Sequence, residues 1–173
     1  MKILGLLLMA AGWGAPVEVR VDDEVCATYE AKLAGDELVV RVKLGKGWHT
    51  FAMDNAVRAA EALKGKKSLG MDQPTRVTLG EGLTVAGPWK QTAPQDFSKP
   101  ELRIFTWGYE GEALFVAPVK KTGELGKIGV KAQACTASIC KNIDVKLEVG
   151  MAGEKVEGAK LEGAKLVQVL TAP

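Results

Sequence analysis

Along most of this chain apolar residues fall at every second position, the period of a half-buried β-strand. Val17, Val19 and Val21 alternate with polar residues, then Val25, Ala27, Tyr29, Ala31 and Leu33, then Leu38, Val40, Val42 and Leu44. Gly45 and Gly47 bracket Lys46 in a turn, after which "WHTFA" resumes a strand. "PTRVTL", "LRIFTW", "ALFVAPV", "KIGVKAQA" and "IDVKLEV" predict more, divided by Gly and Pro clusters. Roughly seven to nine strands at this spacing predict an all-β, antiparallel sandwich.

The pattern breaks in three places. "DNAVRAAEALKGKK", residues 54–67, predicts one short helical insertion of about three turns at most, capped by Asp54 or Asn55 and ended at Gly65. "GPWKQTAPQDFSKP", residues 87–100, reads as a long polar loop carrying Trp89 and Phe97, and long loops without regular structure are often functional. The tail from 151 to 173 repeats "EGAKL" twice, too few copies for a repeat architecture, and reads as a linker with a terminal strand.

At the N-terminus, one lysine precedes an apolar run from Ile3 to about Ala11 and then small residues, the layout of a secretory signal peptide spanning roughly residues 1–15. The run is shorter than the roughly 20 residues that cross a bilayer. The expectation is therefore an exported, periplasmic or secreted protein with no membrane span in the mature chain. Residues 16–150 form one domain and residues 151–173 the tail in this reading. With 23 basic against 21 acidic residues, scattered and not clustered beside aromatics, nothing suggests a nucleic-acid surface.

Export changes how the three cysteines read, because nearby thiols pair under oxidising conditions and an odd one is left over. Cys135 and Cys140, in "QACTASIC", are the natural pair. A disulfide needs α-carbons roughly 4.4 to 6.8 Å apart, whereas five steps along a strand cover about 16 Å, so the chain must double back through "TASI". By strand parity Cys135 falls with Lys127, Lys131 and Gln133, and Cys140 with Asn142, Asp144, Lys146 and Glu148, putting both on the outer face of a hairpin. The same counting puts Cys26 outward with Thr28, Glu30 and Lys32. From the residues alone the pair is a structural staple, a redox-active disulfide or a metal clip. The metal reading has a poor ligand set, since His49 is the only histidine. His49 itself reads as a polar surface residue or an aid to proton transfer.

"GWHTF", "PTRVTL", "GLTV", the Trp/Phe loop, "GYEGEALFVAPV" and "QACTASIC" occur in an order that resembles the N-terminal periplasmic domain of the DsbD thiol-disulfide reductase, also known as the disulfide-bond corrector domain. The resemblance spans roughly residues 25–149. It implies an immunoglobulin-like sandwich without cofactor or metal. It also implies that Cys135 and Cys140 exchange disulfides, taking electrons from a membrane thiol reductase and passing them to thioredoxin-like proteins. A loop with an aromatic tip covers the cysteines in that family; by position Phe97 would be the tip, Trp89 the second choice, and Tyr109 an aromatic neighbour. The alternative function is a non-catalytic immunoglobulin-like binding or adaptor module whose disulfide fixes a hairpin.

Overall fold

The computed structural model describes residues 12–64, 66, 68–70, 73–151 and 164–171. The first eleven residues, on which most of the signal-peptide expectation falls, and most of the "EGAKL" duplication lie outside them.

In chain order the strands are β1 (Val17–Val21), β2 (Glu24–Ala34), β3 (Glu37–Leu44) and β4 (His49–Phe51). A helix α1 (Asn55–Ala62) follows, then β5 (Arg76–Leu79), β6 (Leu83–Val85), β7 (Lys90–Thr92) and β8 (Gln95–Asp96). A 3-10 turn at Pro100–Leu102 leads to β9 (Trp107–Glu110), β10 (Glu112–Lys121), β11 (Leu125–Cys135), β12 (Cys140–Gly150) and β13 (Leu166–Gln168). One sheet runs β1-β2-β3-β10-β7-β13 with β6 also on β10; the other runs β12-β11-β4-β9-β8 with β5 also on β11. Neighbours pair antiparallel, giving the immunoglobulin-like β-sandwich with one short helix that the sequence suggested.

Alternation explains the core. Ile128, Val130, Ala132 and Ala134 of β11 and Ile143, Val145, Leu147 and Val149 of β12 all point inward and are buried, opposite Ala27, Tyr29, Ala31, Leu38, Val40 and Val42 of the other sheet. Fully burying the valine, leucine and isoleucine side chains among them contributes roughly 1.5 to 3 kcal/mol each before conformational entropy is charged against it.

Several expectations give way. There are more strands than the sequence suggested, because segments such as Lys90–Thr92 and Gln95–Asp96 are too short to show a period, and they give the expected loop at 87–100 regular structure. "LRIFTW" is not a strand: Arg103 sits at φ 54, closing a turn, and only an isolated bridge joins Lys99 and Ile104 before β9 begins at Trp107. Asp54 occupies the N-cap position of α1 but makes no side-chain cap. Its carboxylate turns inward, where it accepts from Arg58 at 2.8 and 3.0 Å, Gln91 Nε2 at 2.7 Å and Leu170 N–H at 3.0 Å. Burial would raise its pKa, but these donors outweigh that cost and hold the carboxyl below the usual range.

Cys26 is not outward but fully buried. The β1–β2 register steps from Val19↔Ala27 to Arg20↔Val25, so Cys26 is the extra residue of a bulge, and a bulge resets the parity on which the outward assignment depended. Its thiol donates to the Val19 carbonyl at 3.2 Å, and burial pushes its pKa up.

Residues 13 and 14 also pack on the sandwich. Gly14 N–H donates to the Ala31 carbonyl at 2.7 Å. The Trp13 ring lies 3.9 Å from the Arg41 guanidinium carbon and 4.5 Å from the Lys32 ammonium, and packs on a small second cluster of Val39, Leu114 and Val116. Leu166 of β13 packs on the same cluster.

Candidate functional site

β11 and β12 pair through eleven successive rungs and end on Cys135↔Cys140, where the α-carbons are 4.0 Å apart and the sulfurs are bonded. The chain doubles back through Thr136–Ile139. Thr136 N–H donates to the Ile139 carbonyl at 2.8 Å, and the Thr136 hydroxyl oxygen accepts from the N–H groups of Ser138 and Ile139. This local turn chemistry is the reason "TASI" folds back. With both cysteines bonded to each other, neither thiolate is a free metal ligand.

The two cysteines share the outward side of the hairpin but differ in access. Cys140 is exposed at the start of β12, the open edge of its sheet, and Ile139 beside it is 48% exposed. Cys135 is only 3% exposed, so an outward-facing position does not by itself give access. At this end β11 is an interior strand: β12 flanks it on one side and β4 on the other, in the register Ala134↔Thr50 and Cys135↔His49. Thr50 Oγ1 locks that pairing by donating to the Gln133 carbonyl at 2.8 Å.

Because directly paired residues share a face, one outward row runs Cys140, Cys135, His49, Glu110 across four strands. The next row holds Phe51 opposite Gly108, and Gly108 opposite Gln95. Any side chain at 108 would collide with the Thr50 carbonyl, so glycine is what lets β9 close on β4. Phe51 is 2% exposed, and its ring meets His49 edge-on with centroids 5.4 Å apart.

Phe97 follows β8, and its ring lies tilted against His49 at 5.7 Å, one residue across the sheet from Cys135. The segment carrying it is a hairpin, not a free loop: Phe97 N–H donates to the Thr106 carbonyl at 2.9 Å, and Lys99 N–H to that of Ile104 at 2.8 Å. Its base is fastened to the start of α1, where Asn55 Oδ1 accepts from Trp107 N–H at 2.7 Å and Ala52 N–H donates to the Trp107 carbonyl at 2.9 Å.

The structure thus brings Cys135, Cys140 and Phe97 to one outward face and leaves Trp89 and Tyr109 out. Trp89 packs against the sandwich core from the other sheet, before β7. Tyr109 lies opposite Thr50, hence on the inward side; it is 2% exposed, its hydroxyl donates to the Thr92 carbonyl at 2.9 Å, and it stacks edge-on with Phe115. Burial, with the Asp54 charge adding to it, pushes the Tyr109 phenol pKa upward. Phe51, beside His49 on this face, was not among the residues the sequence pointed to. The period-two spacing of His49 and Phe51 in "WHTF" was the available signal, but their neighbours come from β9 and β11, more than 50 residues away.

No family model and no curated protein matches the sequence. Solved structures do. The N-terminal periplasmic domain of ScsB from Proteus mirabilis aligns with a TM-score of 0.53 at 16% identity, over 79% of this chain and 51% of that one. The chain therefore spans about half the length of that protein's solved chain. The DsbD N-terminal domain from Neisseria meningitidis, in its reduced form, aligns with a TM-score of 0.51 at 15% identity, over 84% of this chain and 91% of that one. The sandwich that carries the Cys135–Cys140 hairpin is similar in fold to the N-terminal domains of DsbD and ScsB, the group its motif order resembles.

Proposed function

We propose that this protein is an extracytoplasmic thiol-disulfide exchange protein that relays electrons through Cys135 and Cys140, between a membrane thiol reductase and periplasmic thioredoxin-like partners. The observation that carries this reading is the placement of the disulfide: a bonded pair at a sheet edge, Cys140 exposed and Cys135 buried in register with His49, whose ring meets Phe97. The fold likeness to a DsbD domain described in its reduced form supports it. A signal peptide ahead of Trp13 would deliver the chain to that compartment.

The asymmetry in exposure supports one division of roles. A partner thiolate attacks Cys140 Sγ, the S–S bond breaks, and Cys135 leaves as the thiolate, giving a mixed disulfide through Cys140. A second partner thiol then completes reduction of the pair. In the donating direction the Cys140 thiolate attacks an oxidised target, and Cys135 resolves the mixed disulfide by attacking Cys140 Sγ, which reforms the bridge and releases the reduced target.

The alternative, a binding module with a structural disulfide, asks the bridge to hold a hairpin that eleven rungs already hold. Closing so short a loop is worth only about 2 kcal/mol of chain entropy. Redox titration of the mature protein separates the two: exchange needs a potential above about −300 mV, and a value far below marks an inert staple. Incubating the reduced Cys135→Ser variant with an oxidised thioredoxin-like protein should trap a covalent adduct through Cys140.

A further inference from the structure

His49 has no part in the electron route above, yet it is in register with the less accessible cysteine. Cys135 is flanked by Cys140 of β12 and His49 of β4, and paired residues present their side chains on one face. Phe51 and Phe97 hold the imidazole from two sides at 5.4 and 5.7 Å.

Chemistry at Cys135 creates a need that this neighbour fits. When a thiol attacks Cys140, negative charge arrives on the sulfur of Cys135, a residue only 3% exposed, and a thiolate shielded from water is unfavourable without a positive or proton-donating neighbour. Imidazole is the side chain that changes charge between pH 5 and 8. We propose that His49 is the proton partner of Cys135. The imidazolium gives its proton to the departing Cys135 thiolate, leaving a thiol and a neutral ring. In the donating direction the neutral ring takes that proton back, so that the Cys135 thiolate attacks Cys140 Sγ. This assignment rests on the exchange function proposed above and names the group that controls its pH dependence.

Other charges frame the pair without replacing His49. Glu110 of β9 is in register with His49 on its far side. Along the hairpin Gln133 and Asn142, hydrogen-bonded at 3.0 Å, are neutral, and beyond them Lys131 and Asp144 pair with each other at 3.5 Å. From the Phe97 hairpin, the Asp96 carboxylate accepts from Ser98 N–H, and Lys99, Glu101 and Arg103 lie toward its tip. Lys141 exerts its charge on Cys26, a core residue.

The test uses the mature protein, dithiothreitol as the attacking thiol, and NMR of the single histidine. His49 should titrate with a different midpoint in reduced than in oxidised protein, and Cys135→Ala, which cannot form the bridge, should lack the midpoint of the reduced wild type. His49→Gln, checked for folding by circular dichroism, should slow reduction at pH 6 by roughly a hundredfold or more, the low side of what a positioned proton donor contributes. It should also remove the inflection between pH 5 and 8 from the rate profile. An imidazole midpoint blind to the redox state overturns the assignment, as does a His49→Gln profile parallel to that of the wild type. Neither readout needs a physiological partner: failure to trap a thioredoxin-like protein would overturn the exchange function while these results stand.

Discussion

Removing the Phe97 ring tests whether the hairpin covers the disulfide. The contact that would hold such a cover is modest: one tilted ring contact with His49 at 5.7 Å, on a segment whose base is tied down by Asn55 and Ala52. Lifting the whole hairpin would break those bonds, so the economical opening is a swing of the ring. An aromatic pair of this geometry is worth about 0.5 to 1.5 kcal/mol, which converts to a roughly two- to twelvefold change in the open population. Phe97→Ala should therefore accelerate reduction by dithiothreitol at fixed pH by that factor, measured by stopped-flow fluorescence or by quenching with an alkylating reagent. Trp89→Phe is the control: it disturbs core packing, so it should lower the melting temperature and leave the rate alone. An unchanged rate in Phe97→Ala would mean that thiols reach Cys140 from the open edge of β12 with the ring in place, and the covering role would fall.

The remaining predictions address the cysteines, the buried carboxylate and the N-terminus. In reduced protein, iodoacetamide should modify Cys140 first, with Cys135 and Cys26 protected until unfolding; peptide mass mapping checks the order, and faster labelling of Cys135 would invert the roles assigned above. Asp54→Ala strips partners from Arg58, the fully buried Gln91 and Leu170 N–H, and should cost about 3 to 5 kcal/mol in urea unfolding, the scale of breaking a buried ion pair. Because folding lowers the Asp54 pKa, its contribution is complete above the ordinary aspartate value of about 3.9 and is lost as pH falls through the folded value. Asp54→Asn should accordingly flatten the acid side of the stability profile. Trp13 is part of the fold, so N-terminal sequencing of exported protein should find Trp13 retained, and Trp13→Ala should lower the melting temperature by removing contacts with Arg41, Lys32 and the Val39 cluster.

What was legible in the chain was whatever repeats locally. Period-two burial in residues 125–135 and 140–150 specifies two strands with one apolar face, and a turn of four residues between two cysteines leaves little choice but a hairpin that brings them together. Hence the sandwich, the disulfide and the outward parity of both cysteines could be read without coordinates. Parity failed at Cys26, where one bulged residue shifts the count and no composition signal marks it. It also could not rank the two sulfurs. Cys135 and Cys140 have equivalent local sequence; only the arrival of β4, more than 80 residues earlier in the chain, buries one and leaves the other at an edge. The same holds for Tyr109, an aromatic in the right motif whose face is set by its pairing with Thr50, and for His49, whose place beside Cys135 is a matter of strand order. Side-chain period is a property of the backbone within one strand, so sequence carries it. Which strands become neighbours is decided by how two sheets close over a shared core, and access at this disulfide follows from that closure.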